Sequence, residues 1–401
     1  PNSLLSGAPK LEEMIQHLGL SDQLLQSRPV SKNRFVYHNR KLQSVPSGLW
    51  SFLTSRLLPL RSKIKLMTEA KRRSQSEDEN ETVADFTRRR TDDAVLERLV
   101  KPMVSGIWGG DPEQLEMKSA FPTVWELEKK YGSVLGGLKE KKKTGEPGSA
   151  SRRQTFSFRH GLSTLSDALA DYCRDEICLQ AEAVEINKIS RVWKEKWQIE
   201  VRNRDQMETY KASHVVLAVP VYATSSLVRW VSPVISDLLD QIEYTRLLVV
   251  HLGYADGPNC PVPEGFGFLS APEESINLLG SIWSSKVFEG RAPEGKVLLT
   301  NMLGGAFGPK IFDKSDEEVL QTVQQELKTV LNINAEPEMS SVWRSPVGIP
   351  QYSPGHKERT DLLLQEVKKQ DGLHLAGNYI NGVSVGDTVR RAFEVVETID
   401  G

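Results

Sequence analysis

Leu373-His374-Leu375-Ala376-Gly377-Asn378-Tyr379-Ile380-Asn381-Gly382-Val383-Ser384-Val385-Gly386-Asp387 is the segment on which the reading of the fold turns. An apolar strand, Leu373 to Ala376, runs into a loop with glycines at 377, 382 and 386 and then into a helix expected over Asp387 to Ile399. Glycines let such a loop take conformations closed to other residues. The helix start offers unpaired N–H groups and about half a positive charge, which suits an anion or a developing oxyanion. On spacing alone, an ordinary strand-to-helix turn is the simpler account.

Working outward, Ala212 to Val219 reads as a continuous apolar strand of the kind buried on both faces. Before it, Ser163 to Cys173 is helical, and Ile177 to Val192 and Trp197 to Val201 read as strands. After it comes a β-rich block at Leu247 to Tyr254, Phe266 to Ser270, Leu278 to Trp283 and Val297 to Leu303. Ser315 to Leu331 is an amphipathic helix opening SDEE, with its acids at the positive end. Towards the N-terminus, Leu11 to Leu18 is a helix stopped at Gly19, and Arg34 to Tyr37 with Lys41 to Val45 suggests a hairpin. Leu49 to Leu138 is almost wholly helical, with Thr82 and Asp85 as a variant capping box. Lys139 to Arg153 reads as a solvated loop. The pattern predicts an α/β chain with α+β parts and an all-helical insertion near the N-terminus.

The 401 residues suffice for two to three domains at about 150 residues each. Apolar residues at 39% and charged residues at 26% exclude wholesale disorder. A net charge of −2 gives no global field for nucleic acid, so no nucleic-acid partner is expected. No apolar run approaches the roughly 20 residues of a spanning helix. Cys173, Cys178 and Cys260 have no metal spacing and point to a reducing compartment. The chain opens Pro1-Asn2-Ser3-Leu4 without Met or signal-peptide features and reads like a sequence entered partway.

No GxGxxG is present; Gly304-Gly305-Ala306-Phe307-Gly308 is the nearest approach. Ser105-Gly106-Ile107-Trp108-Gly109-Gly110-Asp111-Pro112 reads as a connection between helices in which backbone can approach a ligand or another segment. Leu49 to Met67 mixes Trp50, Phe52 and leucines with Arg56, Arg61, Lys63 and Lys65, a composition suited equally to a membrane interface or to a core helix pair broken at Pro59. Arg34 at a strand start can hold a carboxylate bidentately or simply be solvated. No catalytic triad and no metal site emerge.

These stretches, in order, resemble the oxygen-dependent protoporphyrinogen oxidases, flavoenzymes of the amine-oxidase fold group. Asn33-Arg34-Phe35, Ser105 to Pro112 with Leu115 and Met117, and Phe158 to Leu162 carry the likeness in the first part of the chain. Gly265-Phe266-Gly267, Asn301 to Gly305, Ile349 to Tyr352 with Gly355-His356, and Gly377 to Gly386 continue it. The resemblance implies an FAD/NAD(P)-binding (amine-oxidase/PHBH-like) fold, a mixed β-sheet substrate domain and a helical membrane-binding insertion. The expected divisions are a remnant of the FAD domain at 1–22, the insertion at 23–150, FAD domain at 151–222 and 349–401, and substrate domain at 223–348.

By the same resemblance, FAD and O2 oxidise protoporphyrinogen IX to protoporphyrin IX in haem or chlorophyll biosynthesis, releasing H2O2. Arg34 would bind a substrate propionate, Gly106 would bring backbone to the substrate, and Leu269, Ile282 and Met302 would sandwich the tetrapyrrole. Pro1, Asn2 and Ser3 would contact flavin, Val184 the adenine end, and Val383, Ser384 and Val385 the isoalloxazine. The helix start at Val385 to Asp387 is placed to stabilise negative charge at the flavin N1–C2 carbonyl edge. No side-chain base is implied, since macrocycle tautomerisation can move protons. The family's first βαβ unit, with its GxGxxG turn, should precede Pro1 and is not in this chain, so catalysis by these residues alone is in question. Coproporphyrinogen III oxidation is the alternative substrate reading, and a non-catalytic tetrapyrrole-binding, membrane-associated protein the alternative of another class. The expected setting is peripheral, on a bacterial cytoplasmic, mitochondrial inner or plastid membrane, and a homodimer is compatible with it.

Overall fold

The computed structural model describes residues 2–46, 48–71, 76, 78–144, 154–189 and 195–400. They divide into two units. A sheet unit comprises Leu25–Arg159 and Tyr244–Pro354, and a second unit comprises Pro1–Leu24, His160–Glu243 and Gly355–Gly401.

The sheet unit is built on seven strands: β1 (Arg34–His38), β2 (Lys41–Ser44), β3 (Leu247–Ala255), β4 (Gly267–Ser270), β5 (Leu278–Ile282), β6 (Lys296–Gly304) and β7 (Met339–Ser345). Their order is β7-β3-β6-β5-β4-β1-β2. All neighbours are antiparallel except β4 and β1, which run parallel with Gly267 opposite Arg34 and Leu269 opposite Val36. The hairpin β1–β2 turns at Asn39 and Arg40, both with positive φ (54° and 56°), as a tight two-residue loop requires. Its turn N–H groups donate to the Glu274 carboxylate.

Strand alternation sorts residues onto two faces. Leu248, Val250, Leu252 and Tyr254 of β3 join Leu299 and Leu303 of β6 and Phe268 of β4 in one apolar core. Helical segments of this unit include α1 (Leu49–Thr54), α2 (Leu60–Met67), α3 (Val83–Arg90), α4 (Lys101–Trp108), α5 (Pro122–Tyr131), α6 (Val134–Thr144), α7 (Ser284–Val287) and α8 (Asp316–Leu331). Helix α8 closes the core with Val319, Val323 and Leu327. Its start is a full capping box: Ser315 Oγ accepts from the Glu318 N–H at 3.2 Å and Glu318 Oε2 from the Ser315 N–H at 2.9 Å. From its last turns the buried Glu326 carboxylate accepts three N–H groups, from Asn277 backbone and side chain and from Leu278.

Arg89 and Arg90 of α3 lie in a buried network with Glu69, Glu81 and Glu128. Such charges are tolerated inside only when mutually paired. Helices α1 and α2 are separated at Pro59, as the sequence suggests. Before α4 the chain makes one π-helical turn over Leu96–Val100, in which the Lys101 N–H reaches back to the Leu96 carbonyl. Pro102, next in line, has no N–H and its ring would crowd the Arg98 carbonyl in a regular α-helix; the widened turn relieves this.

Three local expectations are corrected. Ser105 to Trp108 is not a connection but the last turn of α4, closed by Gly109 in the left-handed region (φ 59°). Lys139 to Thr144 is helical within α6, because Lys and Glu favour helix without any apolar period; the rest of that expected loop, 145–153, lies outside the described residues. The strand expected over Ala212 to Val219 is confined to Val215–Leu217 and leaves Val216 and Val219 exposed, since Pro220 starts the helix Val221–Val228.

In the second unit, Val215–Leu217 pairs in parallel with Leu373–Leu375. The strands Ala181–Lys188, Trp197–Asn203 and Gln206–Ala212 form an antiparallel sheet of their own. The helix Val385–Asp400 packs against the helix Pro9–His17, and a Cβ at Gly386 would stand 2.9 Å from Ala8 Cβ. Only glycine permits that approach.

Candidate functional site

The face of the seven-stranded sheet turned away from α8 carries two rows of residues fixed by strand register. One row runs Arg34, Gly267, Ile282, Thr300, His251, Ser341 across β1, β4, β5, β6, β3 and β7. The next runs Val36, Leu269, Gly280, Met302, Val249, Trp343 across the same strands. Four of the five residues expected to contact substrate, Arg34, Ile282, Leu269 and Met302, therefore share this face. Leu269, Ile282 and Met302 are half-buried, unlike their fully buried neighbours Phe268, Ser281 and Leu303 on the core face.

Gly106 joins them from α4, which crosses β4 and β5. A Cβ at this position would overlap Leu269 Cδ2, so helix backbone rests directly on the Leu269 side chain. Gly267 stands between Arg34 and Ile282 in the first row. Its φ of 143° and the Ser281 carbonyl behind it exclude any side chain. Arg34 is exposed, with its guanidinium over the Phe266 ring at 5.0 Å. No carboxylate pairs with it among the described residues.

The sheet also brings in residues that the sequence analysis did not single out. His251 Nδ1 lies 3.1 Å from Thr300 Oγ1, which lies 2.8 Å from Ser284 Oγ at the start of α7. Thr300 and Ser284 are buried and His251 is half-buried. Burial alone pushes the His251 imidazole below its ordinary pKa, so it is neutral at physiological pH. Arg34 is thus the one cation in the two rows.

In the second unit, Val383, Ser384 and Val385 form the entry to the helix Val385–Asp400. Ser384 Oγ accepts from the Asp387 N–H at 3.1 Å, and its hydroxyl meets Asp387 Oδ2 at 2.5 Å. Arg390 holds the same carboxylate at 3.4 Å and the Asn381 carbonyl at 2.9 Å. The N–H groups of Val385 and Gly386 have no acceptor among the described residues, leaving two donors at the positive end of a sixteen-residue helix. That donor pair fits the electron-rich edge of a bound flavin. Asn2 and Ser3 are half-buried just before the short strand Leu4–Leu5, which packs on this same helix. Val184 stands apart, at an irregularity in the strand Ala181–Lys188. Pro1 lies outside the described residues.

A family model described as flavin containing amine oxidoreductase matches residues 1–399. Protoporphyrinogen oxidase 1 of the chloroplast of Spinacia oleracea is 34% identical over 404 residues, spanning 95% of this chain and 71% of the relative. Coproporphyrinogen III oxidase of Bacillus subtilis (strain 168) is 28% identical over 403 residues, spanning 97% of this chain and 83% of the relative. Among solved structures, a provisionally named protoporphyrinogen oxidase from Exiguobacterium sp. 255-15 matches with a TM-score of 0.83 at 23% identity, over 100% of this chain and 86% of that one. The last likeness is one of fold.

Proposed function

The chain belongs to the flavin-containing amine oxidoreductases and, within them, to the protoporphyrinogen oxidases; from that premise we propose that it oxidises protoporphyrinogen IX to protoporphyrin IX. The observation that carries this choice is the distribution of charge on the sheet face turned away from α8. Arg34 marks one end of the rows, and every other side chain in them is apolar, a hydroxyl or a neutral imidazole. A macrocycle with propionates on one edge and vinyl and methyl groups on the other suits such a floor. Coproporphyrinogen III, the substrate in the Bacillus subtilis relative's name, has carboxylates on both edges and would place some of them against the uncharged end.

FAD, when bound, supplies the hydride acceptor for three successive two-electron oxidations and is reset by O2 with release of H2O2. Val383, Ser384 and Val385, with Asn2 and Ser3, would hold its isoalloxazine side, and Pro1 is assigned with them; Val184 would meet the adenine end. The Val385 and Gly386 N–H groups would hold negative charge there without reorganisation, while Ser384 and Arg390 keep the Asp387 carboxylate engaged. In the sheet unit, Arg34 would grip a propionate. Leu269, Ile282 and Met302 would bury ring faces, and the missing side chain of Gly106 would let ring and helix backbone approach.

Association with a membrane surface forms part of this reading. Helix α2 is inside out. Its polar Ser62 and Lys63 are buried, Lys63 Nζ donating to the Leu53 and Ser55 carbonyls at 2.7 and 2.6 Å. Leu60, Ile64 and Met67 form a stripe at 71%, 53% and 55% exposure, and Trp50 of α1 is 82% exposed. An apolar stripe flanked by Arg61 and Lys65 suits the headgroup boundary. Among the described residues no helix is long and apolar enough to cross a membrane.

The test is oxidation of protoporphyrinogen IX by the FAD-supplemented protein, compared with coproporphyrinogen III. Arg34→Ala should raise KM at least tenfold with kcat changed far less, as loss of uniform binding predicts. An unchanged KM, or a preference for coproporphyrinogen, would overturn the substrate assignment.

A further inference from the structure

We propose that His251, braced by Thr300 and Ser284, is a specificity-determining residue that keeps carboxylates away from the ring edge opposite the one held by Arg34. The inference rests on the reading of the sheet face as a tetrapyrrole floor, and it names the feature of that floor that chooses between two related substrates.

Position comes first. His251 lies in the same register row as Arg34, four strands away, which is about 19 Å at roughly 4.8 Å per strand. A span of that order is comparable with one tetrapyrrole whose propionates are extended. Between Arg34 and His251 stand Gly267, Ile282 and Thr300, and the parallel row of Leu269, Gly280 and Met302 flanks them.

The second point is chemistry. A hydrogen-bonded chain of imidazole and two hydroxyls stands out in this part of the sheet face, beside Ile282, Met302 and Val249, since buried polar atoms are costly unless partnered. Here they are partnered with each other: His251 Nδ1 with Thr300 Oγ1 at 3.1 Å and Thr300 Oγ1 with Ser284 Oγ at 2.8 Å. The ring is thereby held through Nδ1. No acid is among the causes acting on His251; burial alone lowers its pKa, so the imidazole brings no positive charge. A carboxylate arriving at this end would lose its water and find no counter-charge, a cost of several kcal/mol in low-dielectric surroundings. An uncharged vinyl or methyl edge loses nothing. The floor is therefore electrically one-ended, and His251 is the group that defines its neutral end.

Stable porphyrins allow the idea to be tested without turnover. Protoporphyrin IX and coproporphyrin III are titrated separately into the purified chain, and binding is read from the porphyrin absorbance and fluorescence. The wild-type chain should bind protoporphyrin IX at least tenfold more tightly. His251→Arg should narrow or invert that ratio by at least tenfold, mainly through tighter coproporphyrin binding. Ser341→Arg places a charge one strand further along the same row on an exposed edge strand, where no burial is demanded. It should shift the ratio in the same direction by about threefold even if His251→Arg fails to fold. Trp230→Arg, a change at a largely exposed position of the second unit, controls for non-specific attraction and should leave the ratio alone. A wild-type preference that neither His251→Arg nor Ser341→Arg moves beyond the Trp230→Arg control would overturn the role of His251 while leaving the enzyme assignment standing. A wild-type chain that binds both porphyrins equally would also remove it. A folded wild-type chain that binds neither would remove the tetrapyrrole reading itself.

Discussion

Two amphipathic helices of the sheet unit reach opposite fates. Helix α8 opens on a capping box and buries Val319, Val323 and Leu327 against the core face of the sheet. Helix α2 has a comparable stripe in Leu60, Ile64 and Met67, yet turns it to solvent and packs its polar side inward. Sequence pattern states only that a helix has an apolar side; it does not say which neighbour will cover it. In α8 that side was matched to a sheet. In α2 a buried lysine capping the end of α1 holds the helix the other way round, and the apolar stripe is exposed among the described residues.

Substitutions on the two stripes should separate them. Leu327→Ala leaves a cavity in the core and should cost about 2–5 kcal/mol, measured as a lowered midpoint in urea unfolding at unchanged slope. Ser315→Ala removes one arm of the α8 capping box and should cost about 1 kcal/mol by the same measurement. Leu60→Ser with Ile64→Ser should change stability by under about 0.5 kcal/mol, yet abolish sedimentation with vesicles containing anionic lipid. If the paired α2 variant instead unfolds the protein as readily as Leu327→Ala, the exposed stripe is structural and the contrast collapses. Retention of vesicle binding would leave α2 without its assigned partner.

Much of this architecture can be read locally. The capping box of α8, the β1–β2 hairpin, the break at Pro59 and the strand-loop-helix ending at Gly377 to Asp387 each depend on a few neighbouring residues whose chemistry is plain in the sequence. The sheet face turned away from α8 is different. Arg34 lies beside Gly267 only because β1 and β4, more than two hundred residues apart, pair in parallel, and register of that kind is a tertiary outcome. His251 looks in the sequence like one polar residue in an apolar strand; its link to Thr300 and Ser284 appears only when β3 and β6 are set side by side. Gly106 was misread for a related reason. Glycines near one another suggest a loop, and nothing local announces that the helix carries on through Gly106 to Trp108.

That continuation has a consequence for timing around the helix axis. A helix is a clock that advances about 100° with each residue. The π turn at Leu96–Val100 inserts extra backbone without stopping the clock, so every later position is set back relative to an unbroken helix. With this offset, the bare Cα of Gly106 strikes Leu269. Were the turn to relax into regular α-helix, the hand would move by one hour mark, and Ser105 or Ile107 would swing a side chain into the space that Gly106 keeps clear. A proline five positions beyond Glu97 thus sets the phase at which the helix meets the sheet.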